Sequence, residues 1–194
     1  GLIALTTAMQ GRTLALFTSY ASLKATSRGI TPALTQADIF VYEQGDGSSR
    51  RQLLENFKNA ERAVLLGTRS FWEGVDVRGE ALSCVIIDKL PFASPDDPVL
   101  QARAAAMQEA GRSPFMDYQL PTAVIALKQG VGRLIRDEQD RGVLMLCDPR
   151  LRSKGYGKIF LASLPAMPRT RALADVQQFF AQDSTQASSS ACTV

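Results

Sequence analysis

Five short runs of apolar residues punctuate the chain: TLALF (13–17), IFVYE (39–43), AVLLG (63–67), CVIID (84–88) and VLMLC (143–147). They scarcely alternate with polar positions, so they fit strands covered on both faces, as in a parallel sheet. Segments with helical spacing lie between them, among them SYASLKATSRGI (19–30) and SSRRQLLENFKN (48–59). In the second, Leu53, Leu54 and Phe57 share one face, and Ser49 with Gln52 resembles a capping box. Pro91, Pro95 and Pro98 mark a loop after the fourth run. A helix over about 99–111 follows, and another from Pro121, a residue suited to a first helical turn. KIFLASLP (158–165) reads as a further strand closing the sheet, and TRALADVQQFF (170–180) as a terminal helix. The alternation predicts an α/β fold, a doubly wound and mainly parallel sheet with helices on both faces. No internal repeat interrupts it. The expected domain runs over 1–182, with a flexible tail over 183–194 whose composition lacks a core-forming pattern.

The helix beginning at Pro121 raises a chemical question. Its pattern continues through KQGVGRLIRDEQD (128–140), where two glycines sit beside Gln129, Arg133 and Arg136. At 100° per residue, Leu127, Val131, Leu134 and Ile135 fall within about 80° of Val124, and the Gln–Arg–Arg set falls about 120–180° away. One face is dry and the opposite face carries three hydrogen-bonding groups. Each glycine costs a helix about 1 kcal/mol relative to alanine, so Gly130 and Gly132 predict the close approach of a ligand or another backbone. Arg133 and Arg136 one turn apart can grip a phosphoryl group, being permanently charged and bidentate. The same residues also fit a plain solvated basic helix side, since Gln and Arg are good helix formers.

Two further segments offer hydroxyls at strand ends. LLGTRSFWEGVDVRG (65–79) follows the third run: Gly67, then Thr68 and Ser70, then Glu73, Gly74 and Asp76. In open α/β sheets ligands sit beyond the carboxyl ends of strands. There Thr68 and Ser70 offer hydroxyls and main-chain N–H groups to phosphates, and Asp76 can accept from a ribose hydroxyl. Ser70 with Glu73 also has capping-box spacing, and ordinary turn chemistry explains each residue singly. Phe71 and Trp72 are harder to explain as turn formers: one is expected to anchor the loop in the core and the other to stack on a base. LFTSYASL (16–23) places Thr18, Ser19 and Tyr20 between the first strand and the next helix, a ready phosphate site and equally a plain N-cap.

Bulk properties narrow the classes. The 194 residues allow one domain with a sizeable core. Hydrophobic residues make up 45% and charged ones 21%, and no apolar run approaches bilayer-spanning length, so no membrane partner is expected. Net charge is +3, with eight Lys/Arg against four acids over 128–158, which suits a polyanion or a solvated surface. The absence of histidine removes His-based triads and most zinc hydrolase schemes. Cys84, Cys147 and Cys192 are too scattered for a disulfide framework, structural zinc or an iron–sulfur cluster, and a reducing cytoplasm is the expected compartment. The chain opens at Gly1 inside an apolar stretch, which reads as a cut through a longer protein.

Taken together, these segments resemble the second motor domain of superfamily two helicases, most closely the DinG/XPD branch of DNA helicases. TLALFTSYASL is similar to motif IV, LLGTRSFWEGVDVRG to motif V, and ALKQGVGRLIRDEQDRGVLMLCDPR to motif VI with its following strand; VIIDKLPFASPDDPV (85–99) is similar to the linker between them. The likeness covers roughly residues 10–165 and rests on the order and spacing of four segments. It implies a RecA-like fold and ATP-driven unwinding or translocation on single-stranded or forked DNA, usually 5′ to 3′, in a bacterial cytoplasm or nucleoid. By resemblance, Arg133 and Arg136 face the γ-phosphate, with Arg136 as the arginine finger, and Gln129 senses nucleotide state. Glu73, Gly74 and Asp76 line the nucleotide cleft. Thr18, Ser19, Thr68 and Ser70 hold the DNA backbone, with Tyr20 and Trp72 as further contacts. No GxxxxGK[ST] phosphate loop or DEAH-type Mg²⁺ box occurs in the chain. ATP and Mg²⁺ are therefore expected to be bound mainly by an N-terminal motor domain, where any iron–sulfur cluster would also lie, and the chain alone is expected not to hydrolyse ATP. Two rivals stand beside this reading: a non-catalytic RecA-like docking module, and a self-contained nucleotide-dependent transferase.

Overall fold

Three of the five strands are buried along their whole length. The computed structural model describes residues 1–72, 82–134 and 142–179. Within them Thr13–Leu16 (β1), Ala63–Gly67 (β3) and Cys84–Ile87 (β4) are covered on both faces. Phe40–Glu43 (β2) and Val143–Leu146 (β5) are only partly covered. The sheet order β2-β3-β1-β4-β5 explains the difference, because the half-covered strands are its edges. All four pairings are parallel, so every strand ends at the same rim.

Helices fill both faces. Leu2–Ala8 (α1) and Tyr20–Gln36 (α2) cover one; Arg50–Asn59 (α3), Leu120–Val131 (α6) and Gly157–Ser163 (α8) cover the other. Alternate strand residues divide accordingly. Ala15, Val64, Leu66, Cys84 and Ile86 pack with Leu23, Ile30 and Leu34 of α2. Leu14, Leu16, Leu65, Val85 and Ile87 pack with Leu53 and Phe57 of α3, Leu127 of α6 and Phe160 of α8. The path from β1 to β2 passes over β3, whereas the later connections run back across the sheet. Right-handed crossovers moving in opposite directions must use opposite faces. The reversal falls between β1 and β3, and the crevice it opens at their carboxyl ends is where α/β sheets bind ligands.

Several local expectations change. KIFLASLP is helical, forming α8, and does not extend the sheet. Tyr156, Phe160 and Leu164 all reach the core, and a spacing of four is that of a helix face. Phe92, Phe115, Tyr156 and Phe160 form a ring cluster with centroids 5.2–6.3 Å apart. The helix expected from Pro121 starts earlier, as a π-helical turn Phe115–Gln119 that runs directly into α6. Pro98–Glu109 (α5) is capped by Asp97, whose carboxylate accepts from the Val99 and Leu100 N–H groups. Ser49 caps α3 through the Gln52 N–H at 3.1 Å, but the Gln52 side chain turns to Asn56, so the box is only half made. The 170–180 helix is present over 173–179; the tail beyond lies outside the described residues. No helix among the described residues is long and apolar enough to cross a membrane.

Candidate functional site

The carboxyl rim of β1, β2 and β3 carries a cluster of polar side chains around one residue, Gln44. This residue follows β2 directly, and its N–H continues the ladder to Leu66 O at 2.9 Å. Its side-chain Oε1 accepts from the Thr68 main-chain N–H at 2.7 Å and from the Thr68 hydroxyl at 2.8 Å. A main-chain N–H can only donate, so the amide group facing it must be the oxygen, and the amide orientation is fixed. Nε2 then points the other way, 2.6 Å from the Tyr20 hydroxyl and 2.9 Å from Ser70 Oγ. Three of the expected DNA-contacting residues, Tyr20, Thr68 and Ser70, are thus tied together. Arg50 adds a bond from Nε to the Ser70 carbonyl at 3.1 Å and lies 5.5 Å over the Phe71 ring.

Gln44 and Arg50 escaped the sequence reading. A signal existed: Gln44 stands one place beyond β2, much as Thr68 stands one place beyond β3 and Thr18 two places beyond β1. Thr18, Ser19 and Tyr20 are exposed. Ser19 is the N-cap of α2, accepting from the Ser22 N–H at 3.2 Å. Thr68 is buried, and its carbonyl opens the short helix Arg69–Trp72 (α4) through the Phe71 N–H. Ser70 lies inside α4, not at its cap, and its hydroxyl serves Gln44 instead of a capping box.

Trp72 is not available to a base. Its side chain is 4% exposed, its indole Nε1 reaches the Phe17 carbonyl at 3.4 Å, and Phe71 beside it is fully buried. Both rings of the pair anchor the loop. The close approach predicted at Gly130 is made by this tryptophan: a Cβ at 130 would lie 2.9 Å from the Trp72 ring and 3.3 Å from Leu16. Trp72 therefore joins three segments, the loop after β1, the loop after β3 and the end of α6.

The helix carrying Gln129 stops sooner than its apolar periodicity suggests. α6 ends at Val131 with Gly132 as its cap, and Arg133 and Leu134 continue as a tight turn. Leu134 still packs in the core, which is why the pattern ran on. Gln129 is exposed in the last turn of α6. Arg133 is half-buried; its Nε is enclosed and has no hydrogen-bond partner among the described residues. Arg136, Glu73, Gly74 and Asp76 lie outside the described residues.

The other half of the rim holds Asp88, Cys147 and Asp148, while Cys84 lies at the opposite end of β4. Asp148, after β5, is buried and paired with Arg150 at 2.6 Å, while its Oδ2 also accepts from the Leu90 N–H at 2.8 Å. Burial alone would raise its pKa; the Arg150 hydrogen bond and the Leu90 and Arg150 N–H groups outweigh that and leave it lowered. Asp88, after β4, is raised by desolvation, with Lys89 opposing and Asp148 reinforcing, and its Oδ2 is enclosed without a hydrogen-bond partner among the described residues. Burial pushes the Cys84 thiol up to about 12, and burial beside Asp88 raises Cys147 too, so neither is primed as a nucleophile. Among the described residues no group of acids and thiols has the arrangement of a metal site.

A parallel α/β sheet with polar loops at one rim, and the end of α6 packed on Trp72 of the loop after β3, is the fold shared with the helicase domains to which the chain compares. The chain belongs to the helicase C-terminal domain family, whose model matches residues 2–167. It is 52% identical over 179 residues to the ATP-dependent DNA helicase YoaA of Escherichia coli, covering 92% of this chain and 28% of that one. It is 40% identical over 157 residues to the 3′-5′ exonuclease DinG of Bacillus subtilis, covering 80% of this chain and 17% of that protein. Among solved structures, an XPD helicase aligns over 80% of this chain and 28% of its own, with 26% identity and a TM-score of 0.53. The chain thus spans 17–28% of the length of these relatives.

Proposed function

We propose that this chain is the second motor domain of an ATP-dependent DNA helicase that moves 5′ to 3′ along single-stranded DNA. It works with an N-terminal motor domain that carries the phosphate loop and binds ATP with its Mg²⁺. Arg133 and Arg136 reach across the interdomain cleft to the γ-phosphate, Arg136 as the finger, and Gln129 reports nucleotide state. Glu73, Gly74 and Asp76 line the same cleft. The rim loops, through Thr18, Ser19, Tyr20 and Ser70, hold the DNA backbone.

The observation that carries this reading is the Arg133 guanidinium. It has an enclosed N–H with no acceptor among the described residues, held on a turn after a helix that abuts the loop following β3. An enclosed donor without a partner costs stability, and a charged one costs more. Such a group fits a site whose anion arrives with another module. ATP suits it because a bidentate, permanently charged donor stabilises the charge that develops on a transferring phosphoryl group. Trp72 supplies the mechanical link: when closure moves α6, the ring seated on Gly130 passes the movement to both rim loops.

Arginine substitution in the full-length protein tests the proposal. Arg136→Ala and Arg133→Ala should each lower DNA-stimulated ATPase by about 10³-fold, with single-stranded DNA affinity nearly unchanged. A docking module would instead lose DNA affinity, and a self-contained transferase would show no dependence on DNA.

A further inference from the structure

We infer that Gln44 is the positioning residue that turns the Tyr20 and Ser70 hydroxyls into a pair of aimed donors for one phosphate of the bound strand. The inference rests on the DNA-backbone reading of this rim and assigns the donors within it. Its basis is hydrogen-bond direction. Because the Thr68 N–H fixes Oε1, the amide nitrogen of Gln44 must face Tyr20 and Ser70. An amide nitrogen donates and does not accept, so both hydroxyl oxygens are acceptors here. Each hydroxyl proton is then left to point elsewhere. Tyr20 is 49% exposed and Ser70 is exposed, so that direction is solvent.

The two hydroxyls share one nitrogen, so their oxygens are separated by no more than the 2.6 Å and 2.9 Å bonds laid end to end. A phosphate group presents two anionic oxygens on that scale. Thr68 has the opposite assignment: its proton goes to Gln44 Oε1 and its side chain is buried, so it holds Gln44 and does not donate to DNA. The donors also come from different segments. Tyr20 opens α2 after β1, Ser70 lies in α4 after β3, and Gln44 follows β2. One side chain, from the end of a strand that does not itself pair with β1, therefore ties together the loops that follow the paired strands β1 and β3. The ligand class is a phosphodiester backbone read without regard to base, since hydroxyls aimed at phosphate carry no sequence information.

The test uses the full-length protein, a fluorescein-labelled oligothymidylate and DNA-stimulated ATPase measured across DNA concentration. Gln44→Met keeps the length of the side chain and removes its hydrogen bonds. It should raise both the Kd and the half-saturating DNA concentration about 5–10-fold, on the scale of one or two lost hydrogen bonds. The maximal ATPase rate and the salt dependence of binding should stay as they were, because neutral donors release no counterions. Tyr20→Phe with Ser70→Ala should produce the same loss. In that background Gln44→Met should add less than about twofold, since residues acting through one another are not additive. Full additivity, or unchanged affinity in Gln44→Met, would overturn the assignment. Should Gln44→Met fail to fold, the Tyr20→Phe, Ser70→Ala pair decides, because it leaves Gln44 in place; unchanged affinity there overturns the assignment as well. A wild-type protein with no affinity for the oligonucleotide would sink the functional reading itself, a result distinct from binding that these variants leave intact.

Discussion

At position 130 a single methyl group has nowhere to go. The Cβ of Gly130→Ala would press on the buried Trp72 ring at 2.9 Å and on Leu16 at 3.3 Å. Alanine favours helix by about 1 kcal/mol, but overpacking a rigid ring costs about 1–3 kcal/mol, so a net loss of up to about 2 kcal/mol is expected in denaturant unfolding. Gly29 provides the control. It lies within α2, exposed, with no atom within 4 Å of the Cβ it lacks, so Gly29→Ala should stabilise by about 0.5–1 kcal/mol. The sequence announced that glycine at 130 needed an explanation, but it could not say that the neighbour was protein instead of ligand. Trp72 misled for the same reason: an aromatic residue in a polar loop has one-dimensional neighbours that are polar, while its packing partners, Phe17 and Gly130, come from distant segments. The place of Gln44 just beyond β2 was legible, but its partners were not, because Tyr20, Thr68 and Ser70 lie far from it along the chain.

Among elements, the strands were read almost residue for residue, because a strand covered on both faces leaves an unbroken apolar run. Helix ends were read less well. Leu134 keeps the apolar stripe of α6 going after its helix has stopped, since a tight turn can bury a side chain as effectively as another helical turn. KIFLASLP was read as a strand and is helical, because the spacing of four that carries Tyr156, Phe160 and Leu164 into the core begins outside the segment. Asp148 ties together the segments that follow the paired strands β4 and β5, binding the Leu90 N–H after β4 and Arg150 at the start of Arg150–Ser153 (α7). Its lowered pKa means that its stabilising contribution is complete above the ordinary value of 3.8 and disappears as pH falls through the folded value. Asp88 has the opposite sign: being raised, its contribution is fullest below 3.8 and fades as pH rises through its folded value. Asp148→Asn should therefore cost about 2 kcal/mol at neutral pH and flatten the acid limb of a stability–pH curve, measured by urea unfolding across pH.

On the scale of the whole molecule, the proposed role of the Arg133 turn and the lack of a phosphate loop in the sequence together make a sharp biochemical expectation. Purified alone, this chain should show no DNA-stimulated ATP hydrolysis in a phosphate-release assay; robust turnover would mean that it contains a complete nucleotide site. The doubly wound sheet, its parallel sense and the family were all legible from the order of the motifs. The rim was legible only as a set of hydroxyls. Which of them face solvent, and in which direction each proton points, depends on strand order β2-β3-β1, because that order alone brings residues 20, 44 and 70 side by side.

The π-helical turn at Phe115–Gln119 has a geometric consequence for Arg133. A π turn holds one residue more than an ordinary helical turn, and each residue advances the winding by about 100°. That surplus residue acts as a gear tooth, fixing the rotational setting of everything downstream of it in α6 relative to the ring cluster that grips Phe115. With one residue fewer, the notch at Gly130 would come round to a different side and the guanidinium of Arg133 would swing with it, so the heading of that side chain is set some fifteen residues upstream of it.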